Sequence, residues 1–378
     1  MSTITQGNPA ADAAPRLDNA GGRVFLEGSE ALVDAAILAG CKFFAGYPMT
    51  PFTEVLDYMA EKLPKAGGVC INAESELEAV GMAWGALATG ARAATGSVGQ
   101  GLSLMQESFS EITRAELPLV VFNMARGQAD YYQSTRGGGH GDYRHIVLAP
   151  IDIHEAVAHV QLAFDLADRW RNPVQIYGDY LLAHTWESVD LTPLTFPPLP
   201  LKDWALDGSL NGTGRSRNVN SIGMSKGAKG IDPENFWKRL QSKFDLIETA
   251  EARFEAEHCA DARYVVTAFG TAAKFVRHVV RQLRAEGMRV GYFRPVTLWP
   301  FPSAGLKQAA KGAQKIGVFE LNGGQMIDDV RLSVLGDVPA EAIGGISSDS
   351  SGFGVGPLMN EDKIRDIVVR AYQRLGDA

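Results

Sequence analysis

Residues 71–105 read INAESELEAVGMAWGALATGARAATGSVGQGLSLM, and the fold turns on this stretch. A β-like run at 68–71 delivers two carboxylates, Glu74 and Glu76, to the start of a helix. That helix is made of small and apolar residues (Ala79, Val80, Met82, Ala83, Trp84, Ala86, Leu87, Ala88), a composition suited to burial on nearly all faces. A second β run at 92–95 follows, and Gly96-Ser97-Val98-Gly99-Gln100-Gly101 then turns the chain into another helix. Strand, helix, strand and helix at this spacing are the unit of a parallel α/β sheet. An acid held at a strand-to-helix junction on a buried helix sits where its proton affinity can be tuned.

The pattern extends in both directions. Upstream, an amphipathic helix spans 30–39 and ends at Gly40, and a β run at 41–46 meets Tyr47-Pro48-Met49-Thr50-Pro51. Each proline restricts itself and its predecessor, so this is an extended turn. Thr50 is placed as an N-cap, with Pro51 opening a helix that runs to residue 63. Downstream, 117–124 is an unalternating apolar strand, as in a sheet covered on both faces, and it ends in Ala125-Arg126-Gly127. A polar loop carries Tyr131-Tyr132 and Gly137-Gly138-Gly139-His140-Gly141-Asp142-Tyr143; a β run at 146–149, a helix at 153–169 and a strand at 174–177 follow. The expectation is α/β: a doubly wound parallel-sheet domain over 23–190. Residues 1–22 read as a mobile tail, and 191–258 as a Pro/Gly-rich linker followed by a helix over 233–257. Residues 259–378 read as a second, smaller α/β domain.

Composition bounds the partners. A chain of 378 residues holds two ordinary domains, and 46% hydrophobic with 21% charged residues is usual for a soluble protein. With 44 acidic against 36 basic residues the formal charge is −8, which argues against nucleic acid as the main partner. Cys41, Cys70 and Cys259 are too few and too scattered for a disulfide framework or a four-thiolate metal site, so no metal is expected. No stretch approaches the ~20 apolar residues of a membrane span, and the N-terminus lacks the features of a secretory signal. A cytoplasmic protein is the expectation.

Taken singly, the chemical features are ambiguous. Glu76 reads either as a functional acid or as a carboxylate placed for the helix macrodipole. The Gly96–101 turn lacks the spacing of a dinucleotide fingerprint. Arg126 reads as an anion binder or as a solvated loop cation. His140 sits among glycines that permit close approach of a substrate, or merely serves the loop. Most of these features fall at the C-terminal ends of strands, the edge where open parallel sheets bind ligands.

In this order, YPMTP, ESELEAVGMAWGALATGARA, TGSVGQGLSLM and LPLVVFNMARG resemble the α subunit of the thiamine-diphosphate-dependent 2-oxoacid:acceptor (ferredoxin) oxidoreductases. The likeness extends through GYFRPVTLWPFP and FELNGGQM, and QSTRGGGHGDYRHIVLAP looks closest to the branched-chain 2-oxoacid and phenylglyoxylate types. The resemblance implies that the first domain holds the aminopyrimidine of thiamine diphosphate, and that the second is transketolase-C-terminal-like and serves assembly. It makes Glu76 the acid that hydrogen-bonds pyrimidine N1′ and favours the imino tautomer. It makes Thr50 and Arg126 substrate-binding residues, with Arg126 pairing the substrate carboxylate, and His140 joins them as a substrate-binding candidate from its place in the glycine-rich loop. Tyr47, Gly99 and Gln100 complete the cofactor pocket around Glu76.

Two absences bear on partners. The family's diphosphate- and Mg²⁺-binding Gly-Asp-Gly has no match; Gly141-Asp142-Tyr143, Gly178-Asp179-Tyr180 and Gly336-Asp337-Val338 are the nearest. No CxxCxxC run for iron–sulfur clusters is present either. The resemblance therefore implies a β subunit that binds the diphosphate half, a γ subunit, a ferredoxin-like δ subunit carrying the clusters, and, as a further option, a flavin/NAD subunit. The implied reaction is oxidative decarboxylation of a 2-oxoacid with coenzyme A, giving an acyl-CoA, CO₂ and electrons for ferredoxin or NAD. Tyr131-Tyr132 and the glycine-rich loop suggest an aromatic or branched-chain substrate. Lys42, Arg136 and Arg144 are the cations available to a distal carboxylate. The alternatives are a 2-oxoglutarate or pyruvate enzyme, a non-redox thiamine-enzyme half, and a scaffold without catalysis.

Overall fold

A computed structural model describes residues 23–206, 233–348, 350 and 356–376; the expected tail at 1–22 and residues 207–232 of the expected linker lie outside the described residues. The first unit runs β1 (Arg23–Glu27), α1 (Gly28–Leu38), β2 (Phe43–Gly46), α2 (Thr53–Lys62), β3 (Val69–Asn72), α3 (Glu76–Ala88), β4 (Ala93–Ser97) and α4 (Gly99–Arg114). It continues through β5 (Leu119–Ala125), α5 (Tyr131–Arg136), β6 (Ile146–Leu148), α6 (Ile153–Trp170), β7 (Val174–Asp179), α7 (Tyr180–His184) and β8 (Trp186–Asp190). After the linker come α8 (Pro233–Glu251), β9 (Phe254–Glu257), β10 (Tyr264–Thr267), α9 (Gly270–Ala285), β11 (Val290–Pro295) and β12 (Thr297–Trp299). The chain closes with α10 (Ser303–Ala309), β13 (Lys315–Val318), α11 (Met326–Val334), β14 (Ala340–Ala342) and α12 (Glu361–Gln373).

Seven strands form the main sheet in the order β12-β6-β7-β5-β4-β2-β3, all parallel except the β12 edge. Every residue of the central β5, LVVFNMA, is buried, as its unalternating apolar sequence requires when helices cover both faces. Helices α1, α2 and α6 pack on one face and α3 and α4 on the other. The adjacent strands β2 and β4 thus send their following loops to opposite faces, which opens a crevice between them. Phe52, fully buried, lies across the ends of both strands; a Cβ on Gly46 would come within 3.0 Å of its ring and one on Gly96 within 2.6 Å. These two glycines set how closely the Tyr47–Phe52 turn seats over the sheet.

A second sheet, β14-β13-β10-β11-β9, is parallel apart from β9. The architecture is doubly wound α/β with a second, smaller α/β unit, as expected. Among the described residues no helix is long and apolar enough to cross a membrane.

Several expectations change. The Thr50–Pro51 bond is cis, and Phe52 N–H donates to the Met49 carbonyl at 2.7 Å. That closes a turn around Pro51, so Thr50 is not an N-cap and α2 starts at Thr53. The polar loop contains the short α5. The helix expected to reach residue 257 stops at Glu251, and β9 then pairs antiparallel with β11. Helix α3 is not buried all round: Leu77 is 52% and Met82 40% exposed, and nothing stands within 4 Å of a Cβ on Gly81 or Gly85.

A cluster around Arg294 is among the ion pairs that tie the two units. Arg294, wholly buried, donates through Nη1 and Nη2 to Glu155 at 2.7 and 2.6 Å, and through Nε to Glu255 at 3.1 Å. Burial alone would raise the Glu155 carboxyl, but the Arg294 hydrogen bonds outweigh it and hold it below the usual carboxylate range. Its stabilisation is therefore present above the ordinary glutamate pKa and lost as pH falls through the lowered one. Arg294→Ala removes a wholly buried guanidinium from the part-buried Glu155 carboxylate and is expected to cost about 3–5 kcal/mol, measured by denaturant unfolding; a loss under about 1 kcal/mol would contradict this account.

Candidate active site

Ser75 opens α3, its hydroxyl accepting the Glu78 N–H at 3.4 Å, so the next side chain, Glu76, leaves from the first helical position. Glu76 is only 4% exposed and accepts a hydrogen bond from Ser97 Oγ, at the end of β4, at 3.3 Å. Gly101 makes room for it: a Cβ there would stand 2.3 Å from Glu76 Oε1 and 2.1 Å from Ser97 Oγ. The first turn of α4 therefore rests directly against the Glu76 carboxyl. Glu74 lies on the surface, where its N–H donates to Glu78.

Across that turn stands Arg126, the residue after β5. Its Nε donates to the Thr50 carbonyl at 3.2 Å and its Nη1 to Gln100 Oε1 at 3.3 Å. Thr50 thus meets Arg126 through its backbone. Gly99, Gln100, Ser103, Arg126, Gly127, Ala129, Asp130 and Gln133 line an open cleft of about 320 Å³. Gln133 ties the cleft wall to α4, donating to the Gly99 carbonyl at 2.9 Å and to Ser103 Oγ at 2.7 Å. Tyr47, 36% exposed, lies just past the end of β2 at the same sheet edge.

Asp130 and Ser97 were not singled out from sequence. A Cβ on Gly99 would lie 3.0 Å from Asp130 Oδ1, while Asp130 Oδ2 is buried with no hydrogen-bond partner. Burial pushes the Asp130 carboxyl above its ordinary range, against the Gly99 N–H, the Asn123 amide and Arg126. Its only sequence signal is an acid four residues after Arg126. Ser97 stands in the glycine-rich turn itself and could have been read as a partner for an acid.

His140 is not brought to this site. It contacts Arg114 at 2.6 Å and Glu111 at 3.1 Å, at the far end of α4. At 1.5 Å per residue, those contacts lie about 18–22 Å from the Gly99 end. Nor do the two tyrosines line the cleft. Tyr131, fully buried, packs on Phe269 and donates to Asp329 at 2.7 Å, and the Tyr132 hydroxyl bonds Asp328. The residue basis for an aromatic pocket therefore falls away. The cleft carries the Arg126 guanidinium and the Asp130 carboxyl in its lining, and the buried Glu76 carboxyl stands against the first turn of α4.

Comparison with known proteins identifies the family. Residues 34–205 match the family described as pyruvate flavodoxin/ferredoxin oxidoreductase, thiamine diphosphate-binding, and residues 262–351 match pyruvate:ferredoxin oxidoreductase core domain II. Ketoisovalerate oxidoreductase subunit VorB of Methanothermobacter thermautotrophicus is 37% identical over 82% of this chain and 89% of its own length. The 2-oxoglutarate synthase subunit KorA of the same organism is 33% identical over 84% of this chain and 93% of its own length. The solved 2-oxoglutarate:ferredoxin oxidoreductase of Magnetococcus marinus, which holds 2-oxoglutarate, coenzyme A and succinyl-CoA, superposes with a TM-score of 0.74 at 25% identity, covering 97% of this chain and 68% of that one. The chain belongs to the 2-oxoacid:ferredoxin oxidoreductases, enzymes that decarboxylate 2-oxoacids oxidatively onto coenzyme A, and is a subunit of the α type.

Proposed function

We propose that this subunit supplies the pyrimidine-side half of a thiamine diphosphate site and the carboxylate anchor for a branched-chain 2-oxoacid bearing a single carboxylate. Glu76 fits the pyrimidine half: it is a buried carboxyl group at a helix start, with α4 held close by Gly101. When bound, the cofactor supplies the carbanion chemistry that decarboxylation needs. Glu76 holds a proton toward the pyrimidine, Arg126 pairs and orients the substrate carboxylate, and Gln100 fixes the guanidinium. Tyr47 and Gly99 stand beside the cleft as cofactor contacts.

The observation that carries the substrate reading is the charge of the cleft. Among the described residues Arg126 is the one cation lining it, and the acid Asp130 lines it too. The cations considered for a distal carboxylate are elsewhere: Arg136 pairs with Asp329 at 2.8 Å, Arg144 lines a separate cavity by α8, and Lys42 precedes β2 at the opposite sheet edge. In the assembled enzyme, kcat/KM for 3-methyl-2-oxobutanoate should exceed that for 2-oxoglutarate by about tenfold or more. Dominant 2-oxoglutarate turnover would overturn the reading.

The partners follow from what the sequence lacks: a β subunit with the diphosphate site, and γ and ferredoxin-like δ subunits whose iron–sulfur clusters carry electrons to ferredoxin, or onward to a flavin/NAD subunit. The exposed face of α3, with Leu77, Gly81, Met82 and Gly85, is the surface that fits the β subunit, because it begins at Glu76.

A further inference from the structure

The second sheet has its own crevice. Strands β10 and β13 are neighbours, and their following loops lead to α9 and α11, on opposite faces. Open α/β sheets bind ligands at such a point. Here it is filled by a side chain of the first unit, Gln128, which is 1% exposed. Its Nε2 donates to the Phe269 carbonyl at the end of β10, at 2.9 Å, and its Oε1 accepts the Leu321 N–H beyond β13, at 2.8 Å. The Gln128 carbonyl in turn accepts from Asn322 Nδ2 at 2.9 Å.

Gln128 is two residues beyond Arg126 and two before Asp130, so the segment gripped in this crevice is the wall of the cleft. A second grip lies alongside: Gln325 accepts the Tyr132 N–H and donates to the Ala129 carbonyl, both at 2.9 Å. The gripping loop is itself fixed. The buried Glu320 carboxylate accepts the N–H groups of Gln325, Met326 and Ile327 at 3.1, 2.7 and 3.1 Å. Every amide hydrogen bond of Gln128 named here goes to backbone of the second unit, so Gln128 works as a two-sided peg.

We infer that Gln128 is a positioning residue for the 2-oxoacid: docked in the second sheet's crevice, it sets where Arg126 meets the substrate carboxylate. The inference rests on reading the Arg126 cleft as the substrate site, and it gives the second unit a part in catalysis beyond assembly.

The test uses Gln128→Leu, Arg126→Ala and the double variant in the assembled complex, with hydrogen exchange of residues 126–133 as a second readout. Gln128→Leu should raise KM for the 2-oxoacid about tenfold, with a smaller change in kcat, and should speed exchange across 126–133. In the Arg126→Ala background it should add almost nothing to KM, because its effect passes through Arg126. Should Gln128→Leu fail to fold, Gln325→Ala, which loses only the outer grip, should raise KM in the same direction. An unaltered KM for both variants, or an equal rise with and without Arg126, would overturn the inference. An unaltered KM for Arg126→Ala would overturn the substrate-site reading instead, and the exchange data would still report whether Gln128 holds the wall.

Discussion

Glu76→Gln in the assembled complex should lower kcat by about 10²–10⁴-fold, the range lost when a group that moves a proton is removed. The substitution keeps side-chain length, and the amide oxygen can still accept from Ser97, so the pocket keeps its shape. What it loses is an ionisable proton, the property that the proposed role at the pyrimidine requires. Subunit composition and KM for the 2-oxoacid should change little, because the substrate anchor proposed above is Arg126, across the α4 turn on Gln100. Turnover within a few-fold of wild type would remove Glu76 from the mechanism.

The second large effect comes from a residue without a side chain. Gly101→Ala introduces a Cβ that would stand 2.3 Å from Glu76 Oε1 and 2.1 Å from Ser97 Oγ. Neither distance is tolerable, and both neighbours are buried, so Glu76 must turn away or α4 must lift from the sheet. A displacement of about 1 Å at a reacting group costs about 10²-fold, and overpacking of this kind costs about 1–3 kcal/mol of stability. Steady-state kinetics with a parallel unfolding curve separates the two effects. Turnover within threefold of wild type would mean that the carboxyl has more freedom than this packing allows.

Much of the fold was legible because β-run and helix alternate in 41–177 with little interruption, and β5 carries an apolar sequence that only a doubly covered sheet explains. Glu76 was legible for the same reason, since its position at a strand-to-helix junction follows from local pattern. The role of Gly101 was not, because it depends on how closely α4 approaches α3, a tertiary distance. His140 misled: glycine-rich loops look alike at either edge of a sheet, and only the packing of this one against the end of α4 shows that it lies away from the Arg126 cleft. Tyr131 and Tyr132 misled similarly, because their partners Asp329 and Asp328 are nearly 200 residues away in sequence, at |i−j| of 198 and 196. Helix α3 looked buried from its composition, yet part of that small, apolar face is open in the single chain.

Strand β12 belongs to the second unit in sequence but completes the first unit's sheet, pairing antiparallel with β6 through Thr297 and Trp299. The linker therefore does not mark a place where the polypeptide can be cut into two independent halves. A fragment ending before residue 233 would leave the β6 ladder, Ile146–Leu148, as an uncovered apolar edge, a ready template for other chains. Gene fission at the linker would thus yield an aggregating first half unless the second half were present to seal it.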